Sequence, residues 1–89
     1  MEINISKREG VTVVNIVGSV DTFTAEDLTA AFKKLIAEGA TRIIANMKDT
    51  DYVSSAGLRA FLTGMKAARA QGGDLRLAAL RLPVQRVMQ

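Results

Sequence analysis

Two adjacent hydroxyls, Ser54 and Ser55, stand in the run Asp51-Tyr52-Val53-Ser54-Ser55-Ala56-Gly57-Leu58. The segment before it, Arg42-Ile43-Ile44-Ala45-Asn46-Met47, is strand-like, and a polar stretch, Lys48-Asp49-Thr50-Asp51, reads as the loop that follows. After it, Leu58, Phe61, Leu62, Met65 and Ala68 form an apolar stripe at helical spacing, predicting a helix from about Ser55 to Gln71 that Gly72-Gly73 stops. The serines therefore fall where a loop becomes a helix. Unpaired backbone N–H groups and the positive end of the helix dipole meet there, so an added anion is favoured. A hydroxyl at that place suits reversible phosphorylation. It equally suits plain capping, since serine is among the best N-cap residues. One serine suffices as cap and leaves the other free; residue type does not say which.

Most other chemistry is excluded by what the chain lacks. With no histidine and no cysteine there is no Ser-His-Asp triad, no Cys-His nucleophile and no ordinary zinc site. Asp21, Asp49 and Asp51 raise the question of magnesium, but loop aspartates are common and no metal site or cofactor is expected. An enzyme built on Asp or Ser without a histidine base is a remote alternative. The net charge of +3 comes from cations scattered along the chain, without the clustered stripe and stacking aromatics that nucleic-acid binding requires. That charge can still steer the chain toward an acidic partner. No apolar stretch nears the ~20 residues that cross a bilayer. Met1-Glu2-Ile3-Asn4-Ile5 lacks a basic region leading into an apolar core, so a signal peptide is not expected and the cytoplasm is the expected location.

The remaining elements follow from patterning. Ile3 and Ile5 alternate with polar neighbours as in a short edge strand, and Glu9-Gly10 reads as a hairpin turn. Val11–Val17 is β-branched and nearly continuous, predicting an antiparallel partner for the first strand that is covered on both faces and ended by Gly18. Thr24-Ala25-Glu26-Asp27 is similar to a capping box, with Phe23 placed to staple onto Leu28. Leu28, Ala31, Phe32, Leu35 and Ile36 lie on one helical face, and Gly39 closes that helix. Leu75, Leu77 and Ala79 alternate as in a strand, and Leu82-Pro83 opens a last helix that is short or cut off. Met47, Met65 and Met88 suit core or interface gaps, and Gly57 and Gly64 permit close backbone approach. The expectation is one α/β domain over residues 1–89, ordered β-β-α-β-α-β-α. Its sheet is mostly parallel, with right-handed crossovers and helices packed on it. A homodimer could form through the short C-terminal end.

Strand, Gly18-Ser19-Val20-Asp21, capped helix, strand, Tyr52-Val53-Ser54-Ser55-Ala56-Gly57-Leu58, helix, Gly72-Gly73, strand: this series resembles the STAS domain family, which includes the bacterial anti-sigma factor antagonists. The resemblance covers nearly the whole chain, and the Ser-Ser-Ala-Gly-Leu run is its diagnostic part. It implies a non-enzymatic regulator that docks on an anti-sigma factor serine kinase and is switched off by phosphorylation. Alignment of the Gly-Leu pair makes Ser55 the implied acceptor. Members commonly carry aspartate just before it; this chain has Ser54, the alternate acceptor. Asp21, Thr22, Ser54, Ser55 and Gly57 are the implied docking residues. The alternative within the same family is a scaffold or transport-associated module without phosphorylation.

Overall fold

In the computed structural model, which describes residues 1–79, seven elements follow one another: β1 (Glu2–Arg8), β2 (Val11–Val20), α1 (Ala25–Ala37), β3 (Arg42–Asn46), β4 (Thr50–Val53), α2 (Ser55–Ala70) and β5 (Asp74–Ala78). The sheet order is β1-β2-β3-β5, with β4 also paired to β2. β1 and β2 form an antiparallel hairpin, and every other pairing is parallel. The hairpin turns through Glu9 and Gly10, both at positive φ (49° and 83°), the two-residue geometry that matches strand twist. The predicted final helix and any dimer contact through it lie outside the described residues.

The steps from β2 through α1 to β3, and from β3 through α2 to β5, run in one direction across the sheet. Right-handed crossovers then place both helices on the same face. Val14, Ile16, Ile43, Ala45 and Leu75 project into the core on that face, beneath Leu28, Phe32 and Leu35 of α1 and Phe61 and Ala68 of α2. The rings of Phe32 and Phe61 meet at a centroid distance of 5.9 Å, tilted by 49°. Offset aromatic pairs of this kind add about 1 kcal/mol beyond the area they bury. Among the described residues, then, β2 is covered on one face, where its β-branched run suggests cover on both. Thr12, Val14 and Ile16 are buried while Val11, Val13, Asn15 and Val17 are half-exposed on the face without helices.

Three further expectations are corrected. Gly18 does not end β2; at φ 96° it starts a register shift, a bulge, and the strand continues to Val20. The stretch from Lys48 to Asp51 is not all loop, because Thr50–Val53 returns to β2 as β4, pairing with Gly18, Ser19 and Val20. Thr50 is fully buried there, and its Oγ1 donates to the Ile16 carbonyl at 2.7 Å. The stripe of α2 is rotated: Gly57, Ala60, Phe61, Gly64 and Ala68 face the core, while Leu62 is 47% exposed. Small residues hold that face because the helix lies close to its neighbours. A Cβ on Gly64 would meet the Phe32 ring at 2.8 Å, and one on Gly57 would meet Val20 Cγ1 at 2.8 Å and the Val20 carbonyl at 2.9 Å.

The tight fit at Gly57 opposes helix propensity. Alanine in mid-helix is favoured by about 1 kcal/mol over glycine, but overpacking costs about 1–3 kcal/mol, and here one obstacle is backbone. Gly57→Ala is expected to lower stability by about 1–2 kcal/mol in urea unfolding; an unchanged or raised midpoint would show that Val20 can move aside.

Candidate functional site

The site lies where the end of β2, the end of β4 and the start of α2 converge. Val20 pairs with Val53, and the Ser54 N–H donates to the Val20 carbonyl at 2.8 Å. That bond sets the Val20-Asp21 peptide against Ser54-Ser55, bringing the first loop beside the serines. Ser54 has extended backbone geometry (ψ 173°), and its carbonyl accepts the Leu58 N–H at 2.9 Å. Its Oγ accepts the Gly57 N–H at 3.1 Å, which makes Ser54 the N-cap of α2.

Ser55 is the first residue of α2 and is exposed. Its hydroxyl has no hydrogen-bond partner among the described residues, and the first turn contains no acidic side chain. The two serines thus divide the roles that residue type left open: Ser54 is committed to the cap, and Ser55 presents a free hydroxyl. A phosphate on Ser55 would sit where the helix dipole and the first backbone N–H groups favour negative charge. Gly57 is buried under Val20 and Val53, so it supports the surface from below.

Asp21 organises the neighbouring loop. One carboxylate oxygen accepts the N–H groups of Phe23 and Thr24, both at 2.9 Å, and the Thr24 hydroxyl at 3.2 Å. The Thr24 Oγ1 in turn accepts the Asp21 N–H at 2.9 Å. Thr24 stands at the N-cap of α1 but makes no side-chain cap, so the expected capping box does not form; its hydroxyl is occupied with Asp21 and the Ser19 carbonyl. The bonds from Thr24 first, with those from Phe23, hold the Asp21 carboxyl below its usual range against an opposing effect of burial.

Phe23 is not a staple. It is 88% exposed, thrown outward by the turn that Asp21 closes. Tyr52, at 51%, is also exposed, on the strand that leads to the serines. Thr22 is exposed and shares a shallow groove between the helices with Glu26, Ala56 and Arg59. Beside them the Ser19 hydroxyl donates to Asp51 at 2.9 Å, tying β2 to β4 at the surface. Phe23 and Tyr52 escape a reading of the sequence because apolar patterning carries no sign of which side chain is left outside. Among the described residues no three carboxylates converge as a metal site. Nor is any helix there long and apolar enough to cross a membrane.

Residues 2–89 match the profile of the STAS domain family. The chain is 32% identical over 89 residues to BtrV of Bordetella bronchiseptica, covering all of this chain and 77% of that protein. It is also 32% identical over 80 residues to the anti-sigma-B factor antagonist of Bacillus subtilis, covering 90% of this chain and 72% of that one. The anti-sigma factor antagonist SpoIIAA, in its unphosphorylated form, shares the fold with a TM-score of 0.80 at 23% identity over 99% of this chain and 82% of its own. The phosphorylated form of SpoIIAA superposes with a TM-score of 0.76.

The lowered pKa of Asp21 has a pH consequence of definite sign. A carboxyl whose folded pKa lies below its unfolded value of about 3.9 contributes stability that is present above that value and lost as pH falls through the folded pKa. Urea midpoints are expected to drop below about pH 4, and Asp21→Asn, already less stable at neutral pH, is expected to drop less steeply. Parallel acid limbs for the two proteins would remove Asp21 from the account.

Proposed function

The chain belongs to the STAS domain family, and on that premise we propose that it is an anti-sigma factor antagonist that binds an anti-sigma factor serine kinase and is released when Ser55 is phosphorylated. The observation that carries this reading is the exposed Ser55 hydroxyl at the start of a helix whose cap is already supplied by Ser54. The relative from Bacillus subtilis bears the name of an anti-sigma-B factor antagonist, and SpoIIAA exists in unphosphorylated and phosphorylated forms. The chain itself catalyses nothing in this scheme. The kinase moves the γ-phosphoryl group of ATP onto Ser55 Oγ, the serine proton is lost, and ADP leaves. The expected place of action is the cytoplasm.

Electrostatics would run the switch. Phosphate adds about −1.5 to −2 charge and three acceptor oxygens. Within the domain that charge faces the start of α2, so the fold is kept. At the interface it must be desolvated near Asp21, which is ionised at neutral pH, and near any acids of the partner. A penalty of about 3 kcal/mol weakens binding roughly a hundredfold. The unmodified surface offers two exposed aromatic anchors, Phe23 in the turn before α1 and Tyr52 on β4, with Thr22 lining the groove between the helices. Exposed aromatics of this kind supply much of the energy of a docking surface.

Incubation with the cognate kinase and ATP, read by mass spectrometry, tests the scheme. Phosphate is expected on the native chain and on Ser54→Ala, and not on Ser55→Ala. Loss of the Ser54 cap should lower stability by about 1 kcal/mol without blocking the reaction. Phosphate on Ser54, or none on either serine, would reject the assignment.

A separate measurement addresses docking. Phe23→Ala is expected to weaken kinase binding about tenfold or more while leaving the unfolding midpoint unchanged, since the side chain makes little contact within the fold. Equal affinity for the variant and the native chain would place Phe23 outside the interface.

A further inference from the structure

We propose that the sheet face turned away from the helices is a second docking surface, for an acidic amphipathic helix of a partner protein. Because both crossovers lie on one face, no described element covers the other. Register fixes what that face presents. Ser6, Val13, Ile44 and Arg76 form one row across β1, β2, β3 and β5. Asn4, Asn15, Asn46 and Ala78 form the next. On the other side of the first row stand Arg8 with Val11, and Arg42 with Asp74. Val11, Val13 and Ile44 are half-exposed, and the exposed Arg8, Arg42 and Arg76 surround them.

Val11, Arg42, Ile44, Asp74 and Arg76 line a shallow depression of about 360 Å³. Asp74 is already engaged by Arg69 and Arg76, each at 3.2 Å. Arg8 and Arg42 make no ion pair among the described residues. The rows of asparagines bond to one another: Asn46 Nδ2 donates to Asn15 Oδ1 at 2.8 Å, and Asn15 Nδ2 donates to the Asn4 carbonyl at 3.3 Å. The asparagine row is satisfied and polar, and beyond it the half-exposed Val17 pairs with the exposed Glu2, so the unpaired arginines and the apolar area around Val11, Val13 and Ile44 coincide on the other side of that row.

Charge decides the occupant. Residues 80–89 contain Arg81 and Arg86 and no acid, so that segment is a poor complement. A second copy would bring arginines against arginines across a two-fold axis. The face has no aromatic side chain on which bases could stack, which disfavours single-stranded nucleic acid. A helix with an apolar stripe flanked by carboxylates satisfies both the valines and isoleucine and the unpaired arginines. The surface is on the opposite side of the sheet from the helices, so its occupancy does not require an unmodified Ser55.

The test is an isotope-edited NMR titration of the full chain with a synthetic Leu/Glu amphipathic peptide of about sixteen residues, long enough to hold a helix. Shifts are expected at Val11, Val13, Arg42 and Ile44, with the same affinity in Ser55→Asp. Arg8→Glu combined with Arg42→Glu should weaken the peptide about tenfold, and added salt should do likewise; circular dichroism verifies that the variant is folded. Equal binding of a Leu/Lys peptide, shifts centred on Phe23 and Ser55, or none at millimolar peptide would overturn the proposal. So would concentration-dependent broadening at Val13 without peptide (a second copy), contacts from residues 80–89 to Val13 and Ile44, or binding of anionic lipid vesicles in preference to the peptide.

Discussion

The 2.8 Å bond from the Ser54 N–H to the Val20 carbonyl ties together the parts on which this surface depends. Val20 is the last residue of β2, and Ser54 is the cap of α2. A single backbone contact therefore joins the end of a central strand to the start of the helix that presents Ser55. It is possible because β2 continues past its bulge at Gly18 and because β4 runs alongside that extension. If β2 stopped at Val17, the Asp21 turn and the serines would have no common support. Gly57 completes the joint from beneath, since a larger side chain there would push α2 away from Val20 and Val53.

The same topology separates two kinds of surface. Helices stacked by same-direction crossovers spend the apolar side chains of one sheet face on the core. The strand ends above them carry loops, and there the chain can leave aromatics in water without loss to the fold. On the opposite face the pleat still alternates, and β-branched residues stand half-covered among arginines. Asparagines bridging three strands form a polar row across that face whose hydrogen bonds are made within the sheet. A small domain can thus present two chemically unlike surfaces that share no residue.

How much of this was legible in the sequence depended on whether the cause was local. The hairpin at Glu9-Gly10 and both helices follow from short-range signals, and the structure bears them out. β4 does not, because Thr50-Asp51-Tyr52-Val53 becomes a strand through pairing with residues some thirty positions earlier, and two of its four side chains are exposed. The α2 stripe is only partly legible for a different reason: Phe61 and Ala68 are buried as their spacing predicts, but the rest of the buried face is selected by size, so Gly57, Ala60 and Gly64 stand there and Leu62 is left outside. Phe23 fitted a staple by position alone, and the hydrogen bonds of Asp21 turned it outward. The paired serines were conspicuous by type and place. Their division of labour depended on one dihedral angle and one hydrogen bond, which no residue name records.

The neutrality of the α2 cap has a thermodynamic corollary. A carboxylate in Ser54's place would already have drawn on the positive potential at the helix start, and a second anion next door would meet repulsion from within its own fold. A hydroxyl cap satisfies the same N–H group while leaving that potential unspent. An anion esterified to Ser55 would then tighten the domain that carries it, so under the proposed scheme the detached form would be the more heat-resistant of the two.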